Sequence, residues 1–178
     1  MALTATLHRL RIALSDVERG VYEELDLRLA QHPSENHRYL YTRALAYALC
    51  YDEDIAFSRG LSVTDEPAVW ARTLDGRVRL WIDVGAPSAE RLHKAAKLAE
   101  RVVVFTYHDP QGLVREAANK TLFHREEIEG YALEPAFLDA LCDVTERNGS
   151  WDLVHTGGQL YVTVGGRTVE GKVARFGY

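Results

Sequence analysis

The stretch that decides the fold reads AVWARTLDGRVRLWIDV and spans residues 68–84. Its two halves are rich in β-branched and aromatic residues, and Asp75-Gly76 between them is typical of a two-residue type I′ turn. We therefore predict a β-hairpin in which Leu74 lies opposite Arg77. In this register residue 83 lies opposite residue 68.

Side chains alternate between the two faces of a strand, so the predicted hairpin has two different faces. One face is apolar and indicates a core surface; it comprises Val69, Ala71, Val78, Leu80, Ile82 and Val84. The other face sets Trp70 opposite Trp81. It also sets Arg72 opposite Arg79, and two facing arginines repel each other unless acidic groups lie between them. This second face is therefore predicted to form a functional site or to be exposed to solvent.

Two carboxylates meet at the end of the second face. Glu66 is the diagonal neighbour of Asp83 and points to the same side of the sheet, whereas Asp65 points to the other side. This parity favours Glu66 over Asp65 as the partner of Asp83. Mg²⁺ and Mn²⁺ prefer oxygen ligands, and a metal ion held by Glu66 and Asp83 could polarise a phosphodiester.

A helix capped by Ser88 is predicted at residues 89–101, directly after the hairpin. Its basic side chains share one side; they are Arg91, Lys94, Lys97 and Arg101. Arg91 and Lys94 are long enough to reach back over the hairpin end, where a cation would stabilise charge that develops on a phosphate. The alternative is that the acidic strand ends and the basic helix side are only solvated surface.

The remaining predicted elements complete a single domain over residues 1–178. They are an N-terminal hairpin within residues 1–31 with a β-bulge after His8-Arg9, a helix that begins at His32-Pro33-Ser34-Glu35 with Ser34 as its N-cap, a short strand at 55–61, a buried strand at 102–107, helices at 111–118 and 135–147, and a C-terminal meander of three strands. This order predicts an α/β (α+β) fold with a mixed central β-sheet flanked by helices and extra antiparallel strands at both termini.

Arg43 stands out because apolar residues cover most of the first predicted helix around it, which predicts a central and largely buried helix. A buried arginine needs a carboxylate or phosphate partner. Arg43 either holds Glu35 or a hairpin acid in place, or contacts a substrate directly. The same two interpretations apply to Arg59.

Composition excludes several classes of protein. The 178 residues carry a net charge of −5 and are 47% hydrophobic, which is ordinary for a folded domain. No run of about 18 apolar residues and no signal-peptide pattern occur, so we expect no membrane association and a cytoplasmic location. Cys50 and Cys142 are typical of buried thiols in a reducing compartment. The negative net charge argues against non-specific coating of nucleic acid, but it allows a local basic groove.

Several short motifs follow one another in a specific order. They are Met1-Ala2-Leu3-Thr4-Ala5-Thr6, His32-Pro33-Ser34-Glu35, Phe57-Ser58-Arg59-Gly60-Leu61, Asp65-Glu66-Pro67 with Trp70, Leu80-Trp81-Ile82-Asp83-Val84-Gly85 with Pro87, Arg91 and Lys94-Ala95, and Phe105-Thr106-Tyr107. This set resembles the YaeQ family of bacterial proteins over nearly the whole chain, most densely from residue 32 to residue 107. The resemblance implies a variant of the PD-(D/E)XK nuclease fold, which carries acidic ligands on a hairpin of a mixed sheet.

The resemblance also implies roles for the acidic residues. Glu66 or Asp65 would be the acid on the first hairpin strand, and Asp83 the acid on the second. Glu35 would be the acid that some members carry on the first helix. Together these carboxylates would hold Mg²⁺ or Mn²⁺.

Gly85 departs from the nuclease pattern. The pattern has a lysine two residues after the second acid, where this chain has Gly85. Some nuclease-like families carry that lysine on the following helix instead, and Lys94 or Arg91 fits such a position.

Three functions are compatible with these features. The first is a metal-dependent, nuclease-like phosphodiesterase with Glu66, Asp83, Lys94 and Arg91 as catalytic residues, Arg59 and Arg43 as substrate-binding residues, and Glu66, Asp83 and Glu35 as metal ligands. The alternative is a catalytically inactive nuclease-fold module that binds nucleic acid or a protein partner. In the third, the charged cluster only locks the hairpin to the first helix. We expect nucleic acid as the partner, no membrane contact, and a monomer.

Overall fold

The computed structural model of the chain describes residues 4–59 and 63–178 and shows a mixed α+β fold. The α-helices in this part of the chain are α1 His37–Leu49, α2 Ala89–Leu98, α3 Pro110–Ala118 and α4 Pro135–Val144. The strands are β1 Thr6–Asp16, β2 Val21–Gln31, β3 Ile55–Phe57, β4 Val69–Arg72, β5 Val78–Val84, β6 Ala99–Thr106, β7 Glu129–Leu133, β8 Asn148–Thr156, β9 Gln159–Val164 and β10 Arg167–Gly177. None of the described helices is long and apolar enough to cross a membrane.

All of the described strands belong to one sheet, in the order β2-β1-β8-β9-β10-β7-β6-β5-β4-β3. The pairs β1–β8, β5–β6 and β6–β7 are parallel and the other neighbours are antiparallel. The antiparallel strands predicted at the two ends of the chain are therefore joined to each other through the parallel β1–β8 pair. Both edge strands, β2 and β3, contact α1, so the nearly closed sheet wraps around this helix.

Helix α1 is the centre of the main hydrophobic core, as its sequence predicts. Leu40, Ala44 and Leu45 are fully buried and contact core residues of both halves of the sheet. The predicted start of the helix is wrong. Asn36 is the N-cap and its side chain accepts a hydrogen bond from the Tyr39 amide at 2.8 Å.

Residues 32–35 form a turn before α1 instead of its first turn. The Glu35 amide donates to the His32 carbonyl oxygen at 2.8 Å, and the Glu35 carboxylate accepts from the His32 amide at 3.0 Å. The Ser34 hydroxyl contacts the His32 ring at 2.7 Å. Because these groups bond within the turn, Ser34 does not cap the helix.

The central hairpin has the predicted register near its base but not near its turn. Trp70 pairs with Trp81, as predicted. The turn has three loop residues, since the Gly76 amide donates to the Thr73 carbonyl oxygen at 2.9 Å and the Thr73 amide donates to Arg77 at 2.9 Å. Gly76 has a φ of +89°, which matches a type I turn closed by a left-handed glycine.

The extra residue in the turn is compensated by a shift in strand register, a β-bulge, between Ala71 and Arg72. Arg72 pairs with Val78, so the predicted opposition of Arg72 and Arg79 is wrong. Arg79 forms ion pairs with Asp52 at 2.8 Å and with Asp54 at 3.0 Å. The bulge therefore separates two arginines that would otherwise repel each other.

The N-terminal hairpin has a continuous register, so the predicted bulge after His8-Arg9 is wrong. His8 is only 6% exposed and lies on the same face as Leu10, whereas Leu7 is 51% exposed. The buried His8 ring is stabilised in this position by a 2.8 Å hydrogen bond with the Gln31 side chain. Residues 1–3 of the predicted hairpin lie outside the described residues.

Other boundaries differ by a few residues from the predictions. Residues 99–101, predicted as the end of a helix, begin β6, and α4 ends at Val144 instead of residue 147. Strand β3 ends at Phe57, and residues 60–61 of the predicted strand lie outside the described parts of the chain. These differences are ordinary for helix and strand ends.

The succession α1-β3-β4-β5-α2-β6 positions the candidate site. Helix α1 packs on the core face of β5, which carries Leu80 and Ile82. Helix α2 covers the opposite face, where its Leu92 and Ala95 pack with Trp81. The carboxyl end of β5, with Asp83, therefore lies between the two helices.

Gly171 gives a test of the packing of α4 against β10. A Cβ atom at Gly171 would overlap the buried Phe137 ring, whereas one at Gly177 would meet nothing within 4 Å. We expect Gly171→Ala to lower the free energy of unfolding by about 1–3 kcal/mol through overpacking, measured by urea denaturation. Gly177→Ala is the control and should change it by less than about 0.5 kcal/mol. Equal effects of the two substitutions would contradict the packing.

Candidate functional site

A cavity of about 260 Å³ opens at the carboxyl end of β5, between α1 and α2. Its charged or aromatic lining residues are Tyr39, Arg43, Glu66, Asp83 and Arg91. Four of these five residues were predicted as site residues from the sequence, and the structure brings them to one cavity. Tyr39 was not predicted, although it lies one helical turn before Arg43 on α1, where residues i and i+4 share a face.

Asp83 is held by Arg91 in a bidentate ion pair. The side chain of Asp83 is buried, and its two oxygens accept hydrogen bonds from Arg91 Nε at 2.9 Å and Nη2 at 2.7 Å. Arg91 also donates to the carbonyl oxygens of Thr64 at 2.5 Å and Glu66 at 2.7 Å. Its guanidinium lies 5.6 Å from the Trp81 ring centroid. Four oxygens and an aromatic face therefore surround this one cation.

Arg91 can reach Asp83 because α2 begins directly after β5. Ser88 caps α2 and its hydroxyl accepts a hydrogen bond from the Arg91 amide at 3.2 Å. This places Arg91 in the first helical turn, beside the strand end that carries Asp83. The Gly85 backbone between them has a φ of +93°, a conformation that a lysine at this position would adopt only under strain.

Glu66 is held by Arg59. Its carboxylate accepts hydrogen bonds from the Arg59 amide at 3.1 Å, Nε at 3.0 Å and Nη2 at 2.6 Å. The Arg59 guanidinium holds the pKa of Glu66 below its ordinary value, and the nearby charge of Arg72 adds to this effect. Both oxygens of Glu66 are therefore occupied by the same arginine.

Lys94 lies outside the cavity and pairs with Asp65 at 2.6 Å. Both side chains are largely exposed, and the hydrogen bond from Lys94 lowers the pKa of Asp65. Of the two alternatives left by the sequence, Glu66 lines the cavity and Asp65 lies beside it. We call Arg59, Arg72 and Lys94 the rim cations.

Glu35 and Arg43 form a buried ion pair beneath the cavity. Arg43 Nη2 lies 2.8 Å from Glu35 Oε1, and both side chains are almost completely buried. The same nitrogen donates to the Ala30 carbonyl oxygen of β2 at 2.9 Å. Burial raises the pKa of Glu35 even beside Arg43. Of the partners considered for Arg43, Glu35 is the one that it contacts.

The carboxylates predicted to bind a metal ion do not fit one in this arrangement. Asp83, Glu66 and Glu35 each have an arginine of their own. They also do not bring three ligand atoms within 4.8 Å of one another. Over residues 4–59 and 63–178, only the exposed group His124, Glu126 and Glu127 meets that criterion.

The fold and the cavity define a class of mixed α+β proteins in which a β-hairpin and the next helix supply paired acids and arginines. The family model described as "YaeQ protein" matches residues 1–173. The chain therefore belongs to the YaeQ protein family, as the sequence motifs indicate.

Relatives and solved structures agree with this assignment. The chain is 38% identical over 108 residues to "Uncharacterized protein YaeQ" of Escherichia coli (strain K12) and to that of Shigella flexneri. These alignments cover 61% of this chain and 60% of the relatives. The crystal structure of the YaeQ protein from Pseudomonas syringae is 32% identical with a TM-score of 0.88, and covers 98% of this chain and 97% of that one. The structure from Xanthomonas axonopodis pv. citri is 32% identical with a TM-score of 0.89, and covers 97% and 98%.

The buried ion pair gives a test of stability. We expect Arg43→Met to lower the free energy of unfolding by about 3–5 kcal/mol at neutral pH, because it leaves the Glu35 carboxylate buried without a counter-ion. The folded-state pKa of Glu35 then rises further above its unfolded value of about 4.3. The loss of unfolding free energy should therefore be small below about pH 4.3, and it should grow as the pH rises through the folded-state pKa of Glu35.

The measurement is urea denaturation over a range of pH, with Arg9→Met as the control. Arg9 pairs with Asp26 at 2.6 Å, and both side chains are about half exposed, so its loss should cost much less than the loss of Arg43. A loss for Arg43→Met that is no larger than for Arg9→Met would contradict the role of the buried pair.

Proposed function

We propose that this protein is a nuclease-fold module that binds nucleic acid without metal-dependent cleavage, because Arg91 takes the position of a cation beside Asp83. The observation that carries this proposal is the set of oxygens around Arg91. Both Asp83 oxygens and the carbonyl oxygens of Thr64 and Glu66 contact its guanidinium. Carboxylate and carbonyl oxygens are also the groups that bind hard divalent cations, and here an arginine satisfies them.

The order of elements supports a nuclease-like core. A helix, a three-stranded antiparallel unit, a second helix and a parallel strand follow one another from α1 to β6. This arrangement resembles the PD-(D/E)XK fold, with Asp83 in the position of its second hairpin acid. Position 85 holds a left-handed glycine, and Lys94 is engaged with Asp65. Neither position 85 nor position 94 therefore supplies a lysine beside Asp83.

The rim cations supply a surface for the phosphate backbone, in which Arg59 and Lys94 share their charge with Glu66 and Asp65. Arg59, Arg72 and Lys94 are all exposed. Arg72 also lies over the Trp70 ring at 4.2 Å from its centroid, and an aromatic ring beside a guanidinium is a common feature of nucleic-acid contacts. A local cationic rim is compatible with the net charge of −5, since phosphate contacts depend on nearby charge.

A metal-dependent nuclease is the second candidate, and one specific observation favours it. Glu66 and Asp83, the predicted metal ligands, line the same cavity. In this candidate Mg²⁺ or Mn²⁺ would be the cofactor, Glu35 a further ligand, and Lys94 and Arg91 the residues that stabilise charge on the phosphate. It requires Asp83 and Glu66 to exchange their arginines for the metal ion.

A cleavage assay decides between the two candidates. Labelled single- and double-stranded oligonucleotides are incubated with Mg²⁺ or Mn²⁺ and with the wild type, Asp83→Asn, or Asp152→Asn, which changes an exposed acid on β8. We expect the three proteins to give the same background of cleavage products on a gel. Metal-dependent cleavage that is lost in Asp83→Asn and kept in Asp152→Asn would establish the nuclease and reject the proposal.

Binding without metal is tested at the rim. We expect Arg72→Ala to weaken oligonucleotide binding and to reduce the slope of log K against log salt by about 0.7–0.9, the value for one phosphate contact. Fluorescence anisotropy at several salt concentrations measures both quantities. Arg28→Ala removes an exposed arginine of β2 outside the cavity and should leave the slope unchanged. An unchanged slope in Arg72→Ala would exclude Arg72 from the contact surface.

A further inference from the structure

The floor of the cavity contains a buried donor that lacks a partner. Arg43 is 2% exposed and lines the cavity. Its Nη2 atom donates to the Ala30 carbonyl oxygen of β2 and forms the ion pair with Glu35, but its Nε atom has no hydrogen-bond partner within residues 4–59 and 63–178. Buried donors are nearly always hydrogen-bonded, so an unpaired one that lines a cavity points to an acceptor on a bound molecule.

Tyr39 adds a second donor to the same cavity. It is half-buried, lines the cavity and lies next to Arg43, whose guanidinium is 5.9 Å from the Tyr39 ring centroid. Burial raises the pKa of Tyr39 to about 12. The Tyr39 hydroxyl therefore keeps its proton at neutral pH and can donate it to an acceptor on the bound molecule.

The charges of the cavity are matched, which argues against an ionic occupant. Each acid that lines or underlies it has its own arginine at hydrogen-bond distance. An ion that entered would lose its hydration without meeting an unmatched opposite charge. Apart from Tyr39 and Thr64, the rest of the lining is apolar; it consists of Val63, Pro67, Ala68, Val84, Ala86 and Pro87. Such a site suits a neutral, largely apolar group that carries hydrogen-bond acceptors.

The size of the cavity limits this group to a small ring system. Its volume of about 260 Å³ lies below the range of roughly 300–1,000 Å³ that is usual for pockets of drug-sized ligands. The bases of a duplex are stacked and paired. The bases of a single strand can unstack and turn outward.

We propose that the cavity binds one unstacked base of a single-stranded nucleic acid. A base acceptor faces Arg43 Nε and Tyr39 Oη, the Tyr39 ring and the apolar walls contact the base, and the rim cations hold the flanking phosphates. This inference rests on the proposed function, since it names the form of nucleic acid that the same site recognises.

The test compares three labelled ligands by fluorescence anisotropy without added metal. They are a short single strand of mixed sequence, the same strand annealed to its complement, and a strand of equal length in which every nucleotide is abasic. We expect the single strand to bind about ten-fold more tightly than the other two, because each base in contact with an aromatic side chain contributes measurably. A mixture of free nucleosides at the same concentration as the strand should not displace it, because nucleosides lack the phosphates that the rim cations hold.

Tyr39→Phe tests whether the base occupies this cavity. It removes only the hydroxyl, and we expect it to weaken single-strand binding roughly five-fold, the effect of one hydrogen bond. Binding of the abasic strand should not change. Tyr22→Phe is the matched control, because Tyr22 is exposed on β2 and does not line the cavity. Thermal melting of both variants checks that they fold.

Each contrary outcome rejects a different statement. Equal binding of the abasic and natural strands would overturn the base site but leave the nucleic-acid-binding function standing. Displacement by free nucleosides would make the ligand a small molecule and overturn the single-strand assignment. Unchanged binding by Tyr39→Phe would place the base elsewhere. If no strand binds at all, the proposed function fails and this inference fails with it.

Discussion

The burial of α1 inside a wrapped sheet is the constraint on which the rest of this structure depends. Both edge strands contact the helix, and the core residues of the two halves of the sheet meet on it. A helix with almost no exposed side cannot carry an uncompensated charge, yet it carries Arg43. Glu35 supplies the counter-charge from the turn before the helix. The ion pair therefore fixes where the chain enters the core, and it forms the floor of the cavity.

The arrangement of the candidate site has the same cause, because a charge that is removed from water needs a counter-charge. The end of β5 lies between two helices, so Asp83 is removed from water and needs a partner. Arg91 provides it from the first turn of α2, and further pairs of the same kind surround the cavity at Glu66 and Glu35. A cavity whose carboxylates are all paired with arginines differs in chemistry from one whose carboxylates are available as metal ligands. This difference is the reason why we propose a binding function instead of hydrolysis.

Much of the architecture could be predicted because hydrophobic alternation is a local property. The pairing of Trp70 with Trp81 and the central helix are both encoded within short windows of sequence. Two of the errors come from competition between local rules and partners distant in the chain. His8 turns inward because Gln31 bonds to its ring. Arg79 leaves the hairpin register and pairs with Asp52 and Asp54.

The sequence by itself determined the mixed α+β class, the hairpin that carries Asp83, and the family. It also supplied all of the charged residues that line the cavity, through strand parity, helix position and motif order. Only the tertiary structure decided which cation each acid holds, and that Tyr39 joins them. The physical reason is that the periodic pattern of buried side chains is encoded in short stretches of sequence. An ion pair, in contrast, depends on the distance between two side chains that only the fold brings together. Lys94 and Asp65, 29 residues apart, show this dependence.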